Sequence, residues 1–195
     1  MAKLYFKYGV MGSSKSAQAL ITKFNYEQGN NKVLMLKPLT DNRDGSDIIR
    51  SRIGLEAKVT PIDSTVDIFN FVYDTCRPKP DVIICDESQF FTGEQIEELK
   101  DITRLFDIPV ICYGLLTDFK TNLFPGSKRL VELADSLQEI KMVCDCGKRA
   151  SINARIVDGK IALNGEQVMI GGNESYKAIC YKCWKDRINK EGLFV

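Results

Sequence analysis

The sequence predicts an α/β fold in which a parallel sheet with flanking helices is followed by a small C-terminal lobe. Short, continuously apolar segments alternate with helix-like segments through about the first 140 residues, and such strands suit a parallel sheet that is buried on both faces. Beyond that point the β-like pieces become short and paired cysteines appear. A chain of 195 residues has room for one ordinary domain and a small second one. We therefore predict two regions, 1–140 and 141–195.

The predicted elements begin with strand, helix and strand, which is the start of a βαβ unit. The first helix should end before Gly29, a residue type that commonly terminates helices. In the C-terminal region, the turn signal Asp158-Gly159 after the run 154–157 predicts a hairpin. Before residue 140 we expect strands near residues 4–8, 33–36, 82–85 and 110–113, and helices near 15–28, 66–76 and 93–106.

The composition excludes several classes of protein. Lys plus Arg number 27 against 26 Asp plus Glu, so the net charge of +1 provides no global basic field for nucleic acid or an anionic membrane. No apolar run approaches the length of a membrane span, and the first residues carry no secretory h-region, so we expect a cytoplasmic protein. The chain has no histidine. Ser-His and Cys-His catalysis are therefore excluded, and any metal ligands must be cysteines or carboxylates.

A near-match to the phosphate-binding P-loop lies between the first strand and the first helix. A P-loop needs backbone N–H groups that face phosphates, a lysine that reaches the β and γ oxygens, and a hydroxyl on Mg²⁺. Ser14 stands where the standard pattern has glycine, and serine can enter the loop conformation at modest cost while Gly12 adds flexibility. The alternative is an ordinary Gly/Ser-rich turn between a strand and a helix. The motif reads Gly9-Val10-Met11-Gly12-Ser13-Ser14-Lys15-Ser16.

A second stretch, 81–87, is an apolar strand that ends in Asp86 and Glu87. It resembles the Walker B strand of P-loop enzymes. There the strand-end aspartate holds Mg²⁺ beside the phosphates, and an adjacent glutamate can accept a proton from the attacking group. Acidic residues also begin ordinary loops, so this pattern gains its weight from the upstream P-loop.

Two close cysteine pairs, Cys144 with Cys146 and Cys180 with Cys183, are separated by a β-rich segment. Four thiolates suit a closed, tetrahedral, structural Zn²⁺ site, and Gly147 allows a tight turn after the first pair. The alternatives are two disulfides or four unrelated thiols. The absence of a secretion signal argues against disulfides.

Together these segments resemble the type II thymidine kinases, which pair a P-loop (RecA-like) α/β kinase domain with a zinc-binding lasso domain that closes over the nucleoside. The resemblance covers nearly the whole chain, and the segments occur in family order. They are the P-loop, Asp41-Asn42-Arg43, Asp86-Glu87-Ser88-Gln89-Phe90-Phe91, the run 113–119 (YGLLTDF), and the run 168–176 (VMIGGNESY).

The resemblance implies transfer of the γ-phosphoryl of ATP to the 5′-hydroxyl of thymidine or deoxyuridine, in pyrimidine salvage. Glu87 would be the catalytic base that takes the proton of the 5′-hydroxyl. Mg²⁺ would be held by Ser16, Asp86 and Asp41. ATP and its phosphates would contact the loop residues Gly9, Val10, Met11, Gly12, Ser13, Ser14, Lys15 and Ser16, together with Arg43, Asp86, Glu87, Ser88 and Gln89.

The resemblance also implies a nucleoside pocket with aromatic and aliphatic walls, where backbone groups of the lasso read the edge of the pyrimidine. Of the two adjacent phenylalanines, Phe90 would face the pocket and Phe91 the core. The substrate contacts would be Met11, Phe90, Leu115, Phe119, Phe124, Val168, Met169, Ile170, Gly171, Gly172 and Tyr176.

From the family alone we expect a homotetramer and feedback inhibition by dTTP, with neither membrane nor nucleic acid as a partner. Two other functions fit the same motifs. One is a nucleic-acid-binding ATPase with a zinc ribbon, which should carry a basic aromatic stripe that is not evident here. The other is a zinc-ribbon interaction module whose P-loop, altered at Ser14, no longer binds nucleotide.

Overall fold

The computed structural model describes residues 1–41, 45–167 and 175–190. Strands and helices alternate through the first two thirds of the chain, as the apolar pattern predicts. In chain order the elements are β1 (Leu4–Tyr8), α1 (Lys15–Gln28), β2 (Val33–Pro38), β3 (Ile48–Arg50), β4 (Glu56–Lys58), β5 (Thr60–Ile62), α2 (Ile68–Thr75), β6 (Val82–Cys85), a 3₁₀ turn (Ser88–Phe90), α3 (Gly93–Leu105), β7 (Val110–Gly114), α4 (Pro125–Leu133), β8 (Ser136–Glu139), β9 (Ile152–Val157), β10 (Lys160–Ile161), β11 (Tyr176–Ile179) and α5 (Tyr181–Lys190).

Six of the strands form one sheet in the order β5-β2-β6-β7-β1-β8. Each neighbouring pair is parallel, so the carboxyl ends of all six strands lie at one edge. In an open parallel sheet this edge is where ligands bind. The fold-class prediction of a parallel sheet with flanking helices is confirmed.

Alternate side chains of the strands pack into two apolar clusters, one on each face of the sheet. Leu4, Phe6 and Ile83 contribute to the cluster that includes residues of α2, α3 and α4. Ile84 and its neighbours on the opposite face pack with residues of α1. All four residues of β6 are buried. Because both faces are covered, the strands read as continuous apolar runs rather than as alternating patterns.

The first and third helices begin and end as their sequences predict. Helix α1 spans Lys15–Gln28, with Gly29 at its C-cap and Asn30 in the left-handed conformation just beyond it. At the start of α3, the Thr92 side chain accepts from Gln95 N–H while the Gln95 side chain accepts from Thr92 N–H. This reciprocal capping box satisfies two backbone donors at the helix N-terminus.

Residues after 140 build a small antiparallel sheet in the order β10-β9-β11, followed by α5. The predicted hairpin joins β9 to β10 through Asp158 and Gly159, whose φ angles of 50° and 76° suit a tight two-residue turn. Within the described ranges, no helix is both long and apolar enough to cross a membrane.

Candidate active site

The P-loop motif forms a turn between β1 and α1, as its position in the sequence predicts. Gly12 has a φ of 80°, and Ser14 is left-handed with φ 62°. The serine therefore adopts a conformation that glycine enters at lower cost, which explains why glycine is usual at this position. The Lys15 side chain is buried and donates to the Val10 carbonyl at 2.8 Å, inside the loop. The Ser13 hydroxyl is also buried, with no hydrogen-bond partner within the described residues.

The P-loop meets the acidic strand end through a direct hydrogen bond. Ser16 Oγ donates to Asp86 Oδ2 at 2.8 Å. The other carboxylate oxygen, Asp86 Oδ1, is buried and accepts no hydrogen bond from any described residue. Burial, and next the nearby charge of Glu87, raise the pKa of Asp86 to about 7, while the Ser16 hydrogen bond acts in the opposite direction. A buried carboxylate oxygen without a partner fits a site for a cation.

The residues after Asp86 turn sharply away from β6 into the 3₁₀ turn. Glu87 takes a left-handed conformation with φ 49°. The next two side chains bond to the end of β7: Ser88 Oγ donates to the Tyr113 carbonyl at 2.8 Å, and Gln89 Oε1 accepts from Leu115 N–H at 2.9 Å. The side chains of Ser88 and Gln89 therefore bond within the protein, and their predicted contact with phosphate stays a prediction.

Asp41, the third residue that the resemblance assigns to magnesium, follows the neighbouring strand β2. Its carboxylate lies 3.6 Å from Lys37 Nζ in a buried ion pair. Lys37 also donates to the carbonyls of Gly45 and Ile48, so it holds the chain on both sides of this loop. Because β2 pairs with β6, Asp41 and Asp86 lie at the same edge of the sheet.

The apolar residues predicted to surround a nucleoside fall into contacting groups. Phe90 packs edge-on against Phe124 with 5.6 Å between ring centroids, while Phe91 is buried in the core as predicted. Phe119 is buried beneath the guanidinium of Arg155, 3.7 Å from the ring centroid. Leu115, which directly follows β7, is half-buried, and so is Met11 within the P-loop. The predicted site residues Arg43, Val168, Met169, Ile170, Gly171 and Gly172 lie outside the described residues.

Two buried polar residues of β9 join this edge of the sheet to the C-terminal lobe, and sequence reasoning missed both. Asn153 accepts from Met11 N–H at 2.7 Å and donates to the Thr117 carbonyl at 3.0 Å. Arg155 donates from Nε to Tyr176 Oη at 2.8 Å and from Nη1 to the Glu166 carbonyl at 2.8 Å. The sequence did place Asn153 and Arg155 two residues apart, on one face of a strand. Polar residues at this spacing ordinarily indicate a face exposed to solvent, so the pattern did not reveal their role.

The four cysteines predicted to bind zinc lie together in the C-terminal lobe. Their sulfur atoms are all within 4.8 Å of one another, and Cys146 Sγ lies 3.6 Å from Cys180 Sγ. Tetrahedral Zn–S bonds of about 2.3 Å place sulfurs about 3.8 Å apart, so the cluster fits Zn²⁺. Backbone N–H groups of Cys146 and Cys180 lower the pKa of the Cys144 thiol to about 6. Gly147 makes the predicted tight turn, with φ 80°.

Comparison with known proteins identifies the family of the chain. The family model described as thymidine kinase matches residues 2–184. The thymidine kinase of Streptococcus thermophilus is 43% identical over 185 residues, which cover 94% of each chain. That of Listeria monocytogenes is 44% identical over 185 residues, covering 94% of this chain and 96% of the relative. Among solved structures, the Pif1 helicase from Candida albicans aligns with a TM-score of 0.40 and 15% sequence identity. The aligned region covers 71% of this chain and 36% of the helicase. This likeness is too low to indicate a shared function. With a family model matched over almost its whole length and relatives above 40% identity, this chain belongs to the thymidine kinase family.

Proposed function

We propose that this protein is an ATP-dependent kinase that transfers the γ-phosphoryl group of ATP to the 5′-hydroxyl of thymidine or deoxyuridine. The products are the nucleoside monophosphate and ADP. Family membership supports the reaction class. The observation that carries the assignment is the Ser16–Asp86 hydrogen bond, because it joins the phosphate loop to the acidic strand end that phosphoryl transfer requires.

The loop of residues 9–16 holds the phosphates of ATP. Its backbone N–H groups and the Lys15 ammonium supply the positive potential, and the buried Ser13 hydroxyl adds a donor inside the loop. Lys15 exchanges its bond to the Val10 carbonyl for phosphate oxygens when the nucleotide binds. The buried Lys15 ammonium is therefore hydrogen-bonded both with and without bound nucleotide.

Asp86 and Ser16 would hold Mg²⁺, with Asp41 as a further proposed ligand at the end of the neighbouring strand. The buried oxygen Asp86 Oδ1 supports this proposal, since a cation would satisfy it and keep the carboxylate ionised. Bound there, the ion would neutralise charge that develops on the phosphate oxygens. Arg43 is proposed to contribute positive charge to the transferred group.

Glu87 is the proposed catalytic base. The nucleoside 5′-oxygen forms a bond to the γ-phosphorus while the bond from that phosphorus to the β,γ-bridging oxygen breaks, and ADP departs with the bonding electrons. The proton of the 5′-hydroxyl passes to the Glu87 carboxylate. Because such transition states are loose, Glu87 acts mainly by orienting the hydroxyl.

The nucleoside lies between the sheet edge and the C-terminal lobe. Phe90 and Phe124 offer one aromatic wall, and the end of β7 with Phe119 offers another. Met11, Leu115 and Tyr176 complete the proposed set within the described residues. Residues 168–172 are proposed to bind the pyrimidine edge through backbone groups.

Four wider proposals follow from family membership. Residues 1–140 form the kinase domain and residues 141–195 the zinc-binding lasso domain. The enzyme acts in the cytoplasm, in pyrimidine salvage. It assembles as a homotetramer, and dTTP inhibits it as the end product.

The decisive experiment measures ADP and nucleoside monophosphate formation from Mg-ATP with thymidine, deoxyuridine, deoxycytidine, deoxyadenosine and deoxyguanosine. We expect turnover with thymidine and deoxyuridine alone. Lys15→Ala should lose about 100-fold or more in turnover, because it removes a charge that stabilises the transferred phosphoryl group. Lys23→Ala, on the same helix but paired with Glu27 at the surface, is the matched control and should behave as the parent protein.

Glu87→Gln tests the base. We expect ATP binding by calorimetry to persist while turnover falls by about 100-fold or more. Near-normal turnover would reject the base assignment. Silence across the nucleoside panel, with ATP still bound, would overturn the kinase proposal and favour an ATPase or a nucleotide-binding module.

A further inference from the structure

Gln89 carries a buried side chain directly beside the proposed catalytic base. It lies in the 3₁₀ turn after β6 and is 1% exposed. Its Nε2 group donates to Glu87 Oε2 at 2.5 Å, and its Oε1 atom accepts from Leu115 N–H at 2.9 Å. The side-chain amide therefore connects the Glu87 carboxylate to the end of β7.

The hydrogen-bond chemistry settles which way this amide faces. A backbone N–H can donate but cannot accept, so the amide oxygen must face Leu115. The NH₂ group must then face Glu87, whose carboxylate can accept. The orientation is set by the partners and does not depend on distinguishing oxygen from nitrogen.

Close packing limits the movement of this segment. A Cβ atom at Gly114 would lie 2.7 Å from Gln89 Oε1, and a Cβ atom at Gly126 would lie 2.6 Å from the Ser88 carbonyl oxygen. Both separations are shorter than van der Waals contact, so β7 and α4 approach the 3₁₀ turn as closely as glycine allows. The left-handed backbone of Glu87 persists because these neighbours over-determine it.

We infer that Gln89 is a positioning residue for phosphoryl transfer: its amide holds one oxygen of Glu87 and so sets the direction in which the carboxylate meets the nucleoside 5′-hydroxyl. This inference rests on the proposed role of Glu87 as the base. It assigns Gln89 a contact with the base in place of a contact with phosphate. A third group that orients the base is a recurring arrangement at activated nucleophiles.

The same amide links the base to the nucleoside pocket. Leu115, whose N–H binds Gln89, belongs to the proposed pocket wall, and Ser127 Oγ donates to its carbonyl at 2.6 Å. Displacement of the amide should therefore misalign the base with the hydroxyl. A misplacement of about 1 Å in such geometry can cost about 100-fold in rate.

Two substitutions distinguish the effect of the hydrogen bond to Glu87 from the effect of losing both hydrogen bonds of the Gln89 amide. Gln89→Glu keeps an oxygen that accepts from Leu115 N–H but replaces the donor to Glu87 with a second carboxylate, which repels it. Gln89→Met removes both bonds at nearly constant volume. We expect kcat to fall about 10-fold to 100-fold in each, with KM for thymidine and for ATP within about threefold of the parent values.

Gln95→Met is the matched control. Gln95 is also a buried glutamine, but its side chain donates to the carbonyls of Asp63 and Val66 at the start of α3, away from the proposed base. We expect its Tm to fall while its kcat stays within about twofold of the parent value. If Gln89 were merely structural, its variants would resemble this control.

A double-mutant cycle completes the test. In the Glu87→Gln background, Gln89→Glu should cause no further loss of kcat, because its effect passes through the base. Losses that multiply would overturn the inference. A full loss in Glu87→Gln together with normal kcat in Gln89→Glu would overturn this inference alone, whereas normal kcat in Glu87→Gln would overturn the proposed base itself.

Discussion

The edge of the parallel sheet that carries the P-loop and the cysteine-bearing lobe after residue 140 differ in what holds them together. The sheet has an apolar cluster on each face, and its polar site is positioned by these layers. Among its described residues, the lobe has one apolar cluster, which includes the clustered cysteines Cys144 and Cys180 and also Val10 of the P-loop. The sheet is thus stabilised by its own core, while the lobe depends on its cysteines and on its contacts with the sheet.

The proposed nucleoside site lies where these two regions meet. Asn153 and Arg155 project from the lobe onto the P-loop side of the sheet and onto Phe119. The predictions below test this contrast, from the largest expected effect to the smallest.

Removal of zinc should disrupt the lobe and spare the sheet. Trp184, the one tryptophan of the chain, is 7% exposed and packs with Cys144 and Cys180. A structural zinc site contributes on the order of 10 kcal/mol to folding. After chelation, or in Cys146→Ser, we expect loss of about one zinc ion per chain and a red shift of tryptophan emission. The helical circular dichroism of α1 to α4 should persist.

Cys76→Ser is the control for zinc loss, since Cys76 lies outside the cysteine cluster. It should retain the metal and the emission of the parent protein. Collapse of the whole helical signal on chelation would show that the two regions are not held separately.

Loss of the Asn153 hydrogen bonds should weaken the junction. Asn153→Leu leaves Met11 N–H and the Thr117 carbonyl without this partner, at a cost of about 2 kcal/mol in unfolding free energy. We expect a higher KM for thymidine, with urea unfolding followed by Trp184 emission shifting to lower concentration. Asn189→Leu, an exposed substitution on α5, serves as control. Equal behaviour of the two variants would contradict the proposed importance of the junction.

Two glycines at helix starts should respond differently to alanine. In Gly126→Ala the new Cβ would lie 2.6 Å from the Ser88 carbonyl, so the 3₁₀ turn must shift. Such overpacking costs about 1–3 kcal/mol and should also reduce kcat. In Gly93→Ala the nearest atom is 4.0 Å away, so we expect an unchanged or slightly higher Tm. Similar Tm values for the two variants would argue against the close approach of α4.

The smallest effect concerns the ion pair between Lys100 and Asp135, near the amino end of β1. Hydrogen bonds from the Lys100 side chain and then from Leu4 N–H, with the charge of Lys3, hold the pKa of Asp135 below its ordinary value of 3.8. A lowered pKa stabilises the fold above the unfolded value, and the benefit is lost as the pH falls through the folded value. Asp135→Asn should therefore cost less than about 1 kcal/mol at neutral pH, because the pair is partly exposed.

Urea unfolding at several pH values tests this sign. The difference between the parent protein and Asp135→Asn should be constant near neutrality, shrink as the pH falls below the unfolded pKa, and vanish below the folded pKa. A difference that grows in acid would mean that Asp135 is not stabilised as a carboxylate.

Local sequence patterns predicted many of the structural features of this protein. Apolar runs placed β1, β2, β6 and β7, and the glycines and serines between β1 and α1 predicted a phosphate-binding loop at the turn that joins them. The spacing of four cysteines predicted their cluster, and the Asp158-Gly159 pair predicted its hairpin. The strands, the loop and the hairpin are each signalled by a few neighbouring residues, and the cysteine cluster by two such close pairs, so the chemistry of each signal is set locally by the sequence.

Other features followed only from tertiary contacts. The edge strand β8 and the short strands β3 to β5 lack a strong local pattern, because their pairing depends on distant partners. Asn153 and Arg155 alternate with apolar residues as a solvated strand face would, yet both are buried, because Asn153 contacts Met11 of the P-loop and Arg155 lies over the ring of Phe119. The sequence by itself determined β1, β2, β6, β7 and the helices α1 and α3, and it predicted the loop of residues 9–16 and the clustering of the four cysteines. Only the tertiary structure decided that Gln89 faces Glu87 and that Asn153 binds the P-loop, because these contacts join surfaces that no local pattern relates.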